Sequence, residues 1–121
     1  MLKGVINVII DDKYMINESI KENIEVIKEG QLEIHGILTG DIYLKDNASL
    51  EHHGIINGSI YLYDNSKATL HGTINGDVIN KGGTLEILGI VDEKVINING
   101  KTIINKDAIV GKERYIETVE L

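Results

Sequence analysis

His35-Gly36-Ile37-Leu38-Thr39-Gly40, His53-Gly54-Ile55-Ile56-Asn57-Gly58 and His71-Gly72-Thr73-Ile74-Asn75-Gly76 are three near-copies of one phrase, each eighteen residues after the last. A repeat this short cannot bury its apolar residues alone, so neighbouring copies must stack and share one continuous core. Carried outward, the frame gives coils at residues 5–22, 23–40, 41–58, 59–76, 77–93 (one residue short) and 94–111, and leaves 112–121 as a final strand or a cap. The 121 residues are enough for one domain and too few for two ordinary ones, so 1–121 is read as a single solenoid.

Within each coil the aliphatic residues fall on even positions. The second position holds Ile6, Ile24, Ile42, Ile60, Val78 and Val95, and the fourth holds Val8, Val26, Leu44, Leu62 and then Asn80. Tyr14, Leu32, Leu50, Ala68 and Leu85 stand at the tenth, while Ile16, Ile34, His52, Leu70 and Ile87 stand at the twelfth. Ile20, Leu38, Ile56, Ile74 and Val91 occupy the sixteenth. Alternation with a period of two means strand, and the Gly, Asn and Asp between such short runs mean corners. Eighteen residues divide into three sides of about six, which predicts a triangular parallel β-helix with strands of adjacent coils about 4.8 Å apart. Residues 15–29 carry a competing helical reading, because Ile16, Ile20, Ile24 and Ile27 also fall at helical spacing. The eighteen-residue frame accounts for the same isoleucines, so strands are expected there too.

Composition agrees with stacked coils. The chain is 42% hydrophobic yet has no Phe and no Trp, so its core must be built from Ile, Leu and Val. It has 13 Gly and no Pro. Two glycine files, Gly36, Gly54, Gly72, Gly89 and Gly40, Gly58, Gly76, are expected where a Cβ would crowd an interior bend. Asp46-Asn47 and Asp64-Asn65 read as another corner, with side chains available to local amides.

The phrase G-x-Φ-x-G-(D/S)-Φ, with Φ an aliphatic, stands at Gly36–Ile42, Gly54–Ile60 and Gly72–Val78, and it resembles the repeat of bactofilins, the polymer-forming bacterial cytoskeletal proteins. The resemblance covers residues 23–93 best. It implies a right-handed triangular β-helix that assembles end to end without nucleotide and serves as a scaffold. Left-handed hexapeptide-repeat acyltransferases are the other solenoids with six residues per side, and they would carry an enzymatic reading. Their catalytic His sits on a long loop, whereas the histidines here lie inside the regular coil. The expectation is therefore a protein that is not an enzyme, with no catalytic, cofactor-binding or metal-binding set.

The net charge of −7, with a single arginine, Arg114, argues against nucleic acid as a partner. The apolar run from Met1 to Ile10 is too short for a signal segment or a membrane span and reads as a strand. Zero cysteines fit a reducing, cytoplasmic setting.

Interaction surfaces are sought among outward positions. Ile37, Ile55, Thr73 and Ile90 form an apolar file beside Thr39, Asn57, Asn75 and Asp92, and recurring apolar stripes are contact surfaces. Tyr43, Tyr61 and Tyr63 form a smaller aromatic patch. The file His35, His53, His71 is expected to be a ladder of like side chains whose donors diverge. Glu33, Glu51 and Glu86 share another outward file with Thr69, expected to be solvated. His52 falls on an inward position, where its neutral form is favoured.

Two functions follow as expectations. The first is a scaffold that forms a homo-oligomer or polymer through its β-helix. The alternative is a small acidic inhibitor of the toxin-immunity or phage anti-defence type, which blocks the surface of a basic protein partner or sequesters a ligand.

Overall fold

The computed structural model describes residues 8–111 and the backbone of Glu113–Ile116. Every regular element among these residues is a β-strand, and all strand pairs are parallel, so the chain is a β-solenoid of about six turns. The segment with two readings is strand as well, in the pieces Lys13–Ile16, Ser19–Lys21 and Ile24–Val26.

Each coil contributes to three sides. The first side stacks Val8–Ile10, Ile24–Val26, Ile42–Leu44 and Ile60–Leu62. The second stacks Lys13–Ile16, Gln31–Ile34, Ser49–His52 and Lys67–Leu70. Two long strands, Val78–Ile87 and Lys94–Ile104, continue both sides and bend through the corner between them, which joins the two into one eleven-stranded sheet. The third side is a separate six-stranded sheet of Ser19–Lys21, Ile37–Thr39, Ile55–Asn57, Thr73–Ile74, Ile90–Val91 and Ile109–Val110.

The inward aliphatic files form the core. Ile24, Ile42, Ile60, Val78 and Val95 are buried from the first side, as are Leu32, Leu50, Ala68 and Leu85 from the second and Leu38, Ile56, Ile74 and Val91 from the third. Tyr14, placed on an inward file by the sequence, is instead 52% exposed, because its strand has a neighbour on one side only among the described residues.

The register departs from the eighteen-residue frame in two places. Val8 and Ile10, not Ile6 and Val8, stand opposite Ile24 and Val26, so the first coil runs two residues short there. The cause is its corner, Asp11-Asp12, where the next coil uses Ile27-Lys28-Glu29-Gly30. Ile6 itself lies outside the described residues. At the other end Glu113 pairs with Lys94, nineteen residues earlier, so that coil runs 94–112 and not 94–111. Its extra length is the turn Asn105-Lys106-Asp107-Ala108, closed by the Ala108 amide on the Asn105 carbonyl at 2.9 Å. Of the tail, Glu113–Ile116 is a strand, and residues 112 and 117–121 lie outside the described set.

Corners and stacking explain the residues that look like motif. At Lys45–Ala48 the Ala48 amide donates to the Lys45 carbonyl at 3.0 Å, and Asp46 and Asn47 both take left-handed φ values, 52° and 64°. Asp and Asn tolerate that conformation, so their contribution is to backbone shape rather than through the side-chain bonds the sequence suggested. The glycine files likewise act between coils rather than toward the interior. A Cβ at Gly54, Gly72 or Gly89 would fall on the carbonyl oxygen of the glycine one coil earlier, Gly36, Gly54 or Gly72, and Gly58 and Gly76 stand in the same way over Gly40 and Gly58. After each glycine of the second file, and after Glu22 at the equivalent place one coil earlier, comes a side chain that ties two coils together. Asn23 Oδ1 accepts from the Asp41 amide at 2.9 Å, Asp41 Oδ1 from Ser59 at 2.9 Å, Ser59 Oγ from Asp77 at 3.1 Å, and Asp77 Oδ1 from Lys94 at 3.0 Å.

Substituting Gly54→Ala is expected to destabilise the protein by about 2 kcal/mol or more, because the methyl group meets fixed backbone and not a movable side chain. Gly82→Ala, where the nearest atoms lie 3.5–3.6 Å away, should be tolerated. Equilibrium unfolding in denaturant compares the two; equal losses would show that close coil-to-coil approach is not what the glycine files provide.

Candidate interaction surfaces

The third side carries the isoleucine file. Ile37, Ile55 and Ile90 point outward at 38%, 39% and 38% exposure, and Ile109, at 58%, extends the line by one more coil. Alternation along each strand puts these residues out because Leu38, Ile56, Ile74 and Val91 point in. Beside them runs a polar ladder in which Asn75 Nδ2 donates to Asn57 Oδ1 at 2.5 Å and Asn57 Nδ2 to Thr39 Oγ1 at 3.4 Å. The central coils of this side are thus uncharged, with Lys21 near one end and Asp92 near the other.

The tyrosines divide into two groups. Tyr43 and Tyr61 stack with ring centroids 5.1 Å apart and planes within 7°. Burial, and then the Asp41 carboxylate, push the Tyr43 hydroxyl above its usual pKa. Tyr63 sits one outward position further along, between two ammonium groups, Lys45 at 5.6 Å and Lys81 at 5.5 Å from its ring centre. Lys45 also donates to Glu25 Oε2 at 2.6 Å, and that bond raises its pKa. This side is therefore a mixed aromatic and ionic strip, and Lys45, Lys81 and Glu25 are members that the tyrosine pattern alone did not single out.

His35, His53 and His71 form a stacked column at the corner between the second and third sides, with centroids 5.0 and 4.7 Å apart and planes within 4°. The expected 4.8 Å spacing is met, but the donors do not all diverge. Glu33 Oε2 lies 2.6 Å from His35 Nε2, whereas Glu51 Oε2 lies 3.3 Å from His53 Nε2 and 3.2 Å from His71 Nε2. One carboxylate thus serves two coils. Sequence spacing could put Glu51 beside its own coil's His53; the reach to His71 depends on a rotamer that spacing does not encode.

No family model, curated protein or solved structure matches the chain. Function must accordingly be argued from these surfaces. Among the described residues there is no helix long and apolar enough to cross a membrane.

Among the described residues the buried polar side chains are His52, Ser66, Asn80 and Asn97, and two of them, Asn80 and His52, interrupt aliphatic files for different reasons. Asn80 follows Leu62 in its file, with Asn97 one coil further on, and organises the corner of a shortened coil. Its Oδ1 accepts from the Gly82 and Gly83 amides at 3.1 and 2.8 Å, and its Nδ2 donates to the Gly83 and Lys101 carbonyls at 3.1 Å each and to Thr102 Oγ1 at 3.0 Å. His52, between Ile34 and Leu70, is fully buried and neither ring nitrogen has a hydrogen-bond partner. Burial depresses its pKa from 6.5 to about 4; the Gly54 backbone offsets part of this without meeting either nitrogen in bonding geometry, and His53 and His71 add slightly to the depression.

That depression has a direction in stability. Above about pH 6.5 His52 is neutral whether folded or not, and between 6.5 and 4 only the unfolded chain takes up the proton, so stability falls as pH falls through this window. The full loss is about 3 kcal/mol. His52→Leu, which matches its neighbours in the file, is expected to stabilise the fold by about 1–3 kcal/mol at pH 7 and to flatten the profile above pH 5. Denaturant unfolding of both proteins from pH 7.5 to 5 checks it; parallel profiles would show that His52 is not the group responsible.

Proposed function

We propose that this chain is a non-enzymatic scaffold that associates with further copies of itself through the flat third side of its solenoid. The observation that carries the reading is the outward file Ile37, Ile55, Ile90 and Ile109 on a surface otherwise neutral in its central coils. Two chains of net charge −7 repel, and an uncharged apolar strip is where that repulsion is weakest and burial is most favourable. A two-fold axis near Ile55 would lay Ile55 on its own copy and Ile37 on Thr73, and bring Lys21 of one copy toward Asp92 of the other. The resemblance of the glycine phrase to bactofilins supports self-assembly as such, and the isoleucine file suggests where it occurs.

Size sets the strength. Six strands at about 4.8 Å by a side of 15–20 Å give on the order of 400 Å² per copy, about half of a standard interface. Weak, concentration-dependent association follows, not a permanent dimer.

Sedimentation velocity over a wide concentration range tests this. The mass of the native chain should rise with concentration, and Ile55→Lys, an exposed change that leaves the core intact, should hold it at the monomer. A native chain that remains monomeric throughout defeats the scaffold reading and leaves the acidic partner-binding one.

A further inference from the structure

We propose that Glu51, His53 and His71 form a binding site for a divalent transition-metal ion, with zinc as the expected occupant. The three donor atoms lie within 4.8 Å of one another. A tetrahedral zinc with bonds of about 2.0–2.1 Å has ligand-to-ligand edges of roughly 3.3 Å. Two of the three edges already have that length, Glu51 Oε2 to His53 Nε2 at 3.3 Å and to His71 Nε2 at 3.2 Å.

The remaining edge, nitrogen to nitrogen, closes when the two rings tilt out of their parallel stack. They have room to do so, since the His53 and His71 side chains are 38% and 37% exposed. The backbone beneath them is fixed. The His53 amide donates to the Ile34 carbonyl and the His71 amide to the His52 carbonyl, both at 2.8 Å, so the ligands start from rigid neighbouring coils. Imidazole nitrogens favour zinc, copper and nickel over calcium and magnesium, and two imidazoles with one carboxylate leave a fourth position open to water.

One ion per chain is expected, not a row of them. His35 is engaged by its own Glu33 at 2.6 Å, which leaves Glu51 with His53 and His71 as the set that spans two coils. Imidazole binds the ion through an unprotonated nitrogen, so protons compete with the metal. The site is independent of self-association, because none of its three ligands belongs to the isoleucine file.

Isothermal titration of untagged protein with zinc chloride at pH 7.5 tests the proposal. The expected result is one zinc per chain, with affinity reduced about tenfold or more in His53→Gln and in His71→Gln and unchanged in His35→Gln. All three are surface substitutions, and circular dichroism confirms that the variants fold. Imidazole nitrogen resonances of His53 and His71 should shift on zinc addition while that of buried His52 does not. Absence of zinc binding by the native chain, or undiminished binding by the double variant His53→Gln/His71→Gln, overturns the assignment.

Discussion

Every coil of this protein lies directly on the backbone of the coil before it, and that close approach is the constraint from which the rest of the structure follows. Among the described residues strands pair only with the equivalent strand one turn away, so no coil there completes its own hydrogen bonding. Gly54 and Gly72 stand where a methyl group would strike the carbonyl of the preceding glycine. Asn23, Asp41, Ser59 and Asp77 each capture an amide of the following coil. The phrase that looks like a signature is thus the chemistry of the stacking direction: glycines admit the neighbouring coil, and the acid or hydroxyl after them fastens it.

The inward files could be read from spacing because burial repeats with the coil. Leu38, Ile56 and Ile74 are equivalent in sequence and in space, and even His52 betrays its burial by standing in line with Ile34 and Leu70. Less legible is whatever depends on corner length. Asp11-Asp12 shortens one corner and Asn105–Ala108 lengthens another, each shifting the register without disturbing the aliphatic alternation on either side. The helical reading of residues 15–29 arose from a coincidence, since the inward Ile16, Ile20 and Ile24 lie on three successive strands and the corners between them set them four residues apart. Parallel pairing with the next coil decides for strand, and pairing is a property of the stack rather than of the segment.

The outer surfaces divide in the same way. The isoleucine file was visible because it too repeats with the coil, and the structure adds Ile109 after the four-residue corner restores the alignment. The reach of Glu51 across two coils was not visible, because it depends on side-chain directions between neighbouring turns, whereas Lys45, Tyr63 and Lys81 stand eighteen residues apart and the frame alone puts them in one file. Stacking converts a sequence repeat into columns of like groups, and the columns divide the surface chemistry: apolar on one side, aromatic and cationic on another, imidazole and carboxylate at a corner.

Parallel coil-to-coil pairing, not structure within a coil, holds this chain together. Amide hydrogen exchange by NMR tests it most directly. The account predicts that the amides of Asp41, Ser59, Asp77 and Lys94, each held by the side chain one coil earlier, are strongly protected and recur at intervals of 18, 18 and 17 residues. Continuous protection along residues 15–29 at helical spacing, or fast exchange at those four amides, would contradict it.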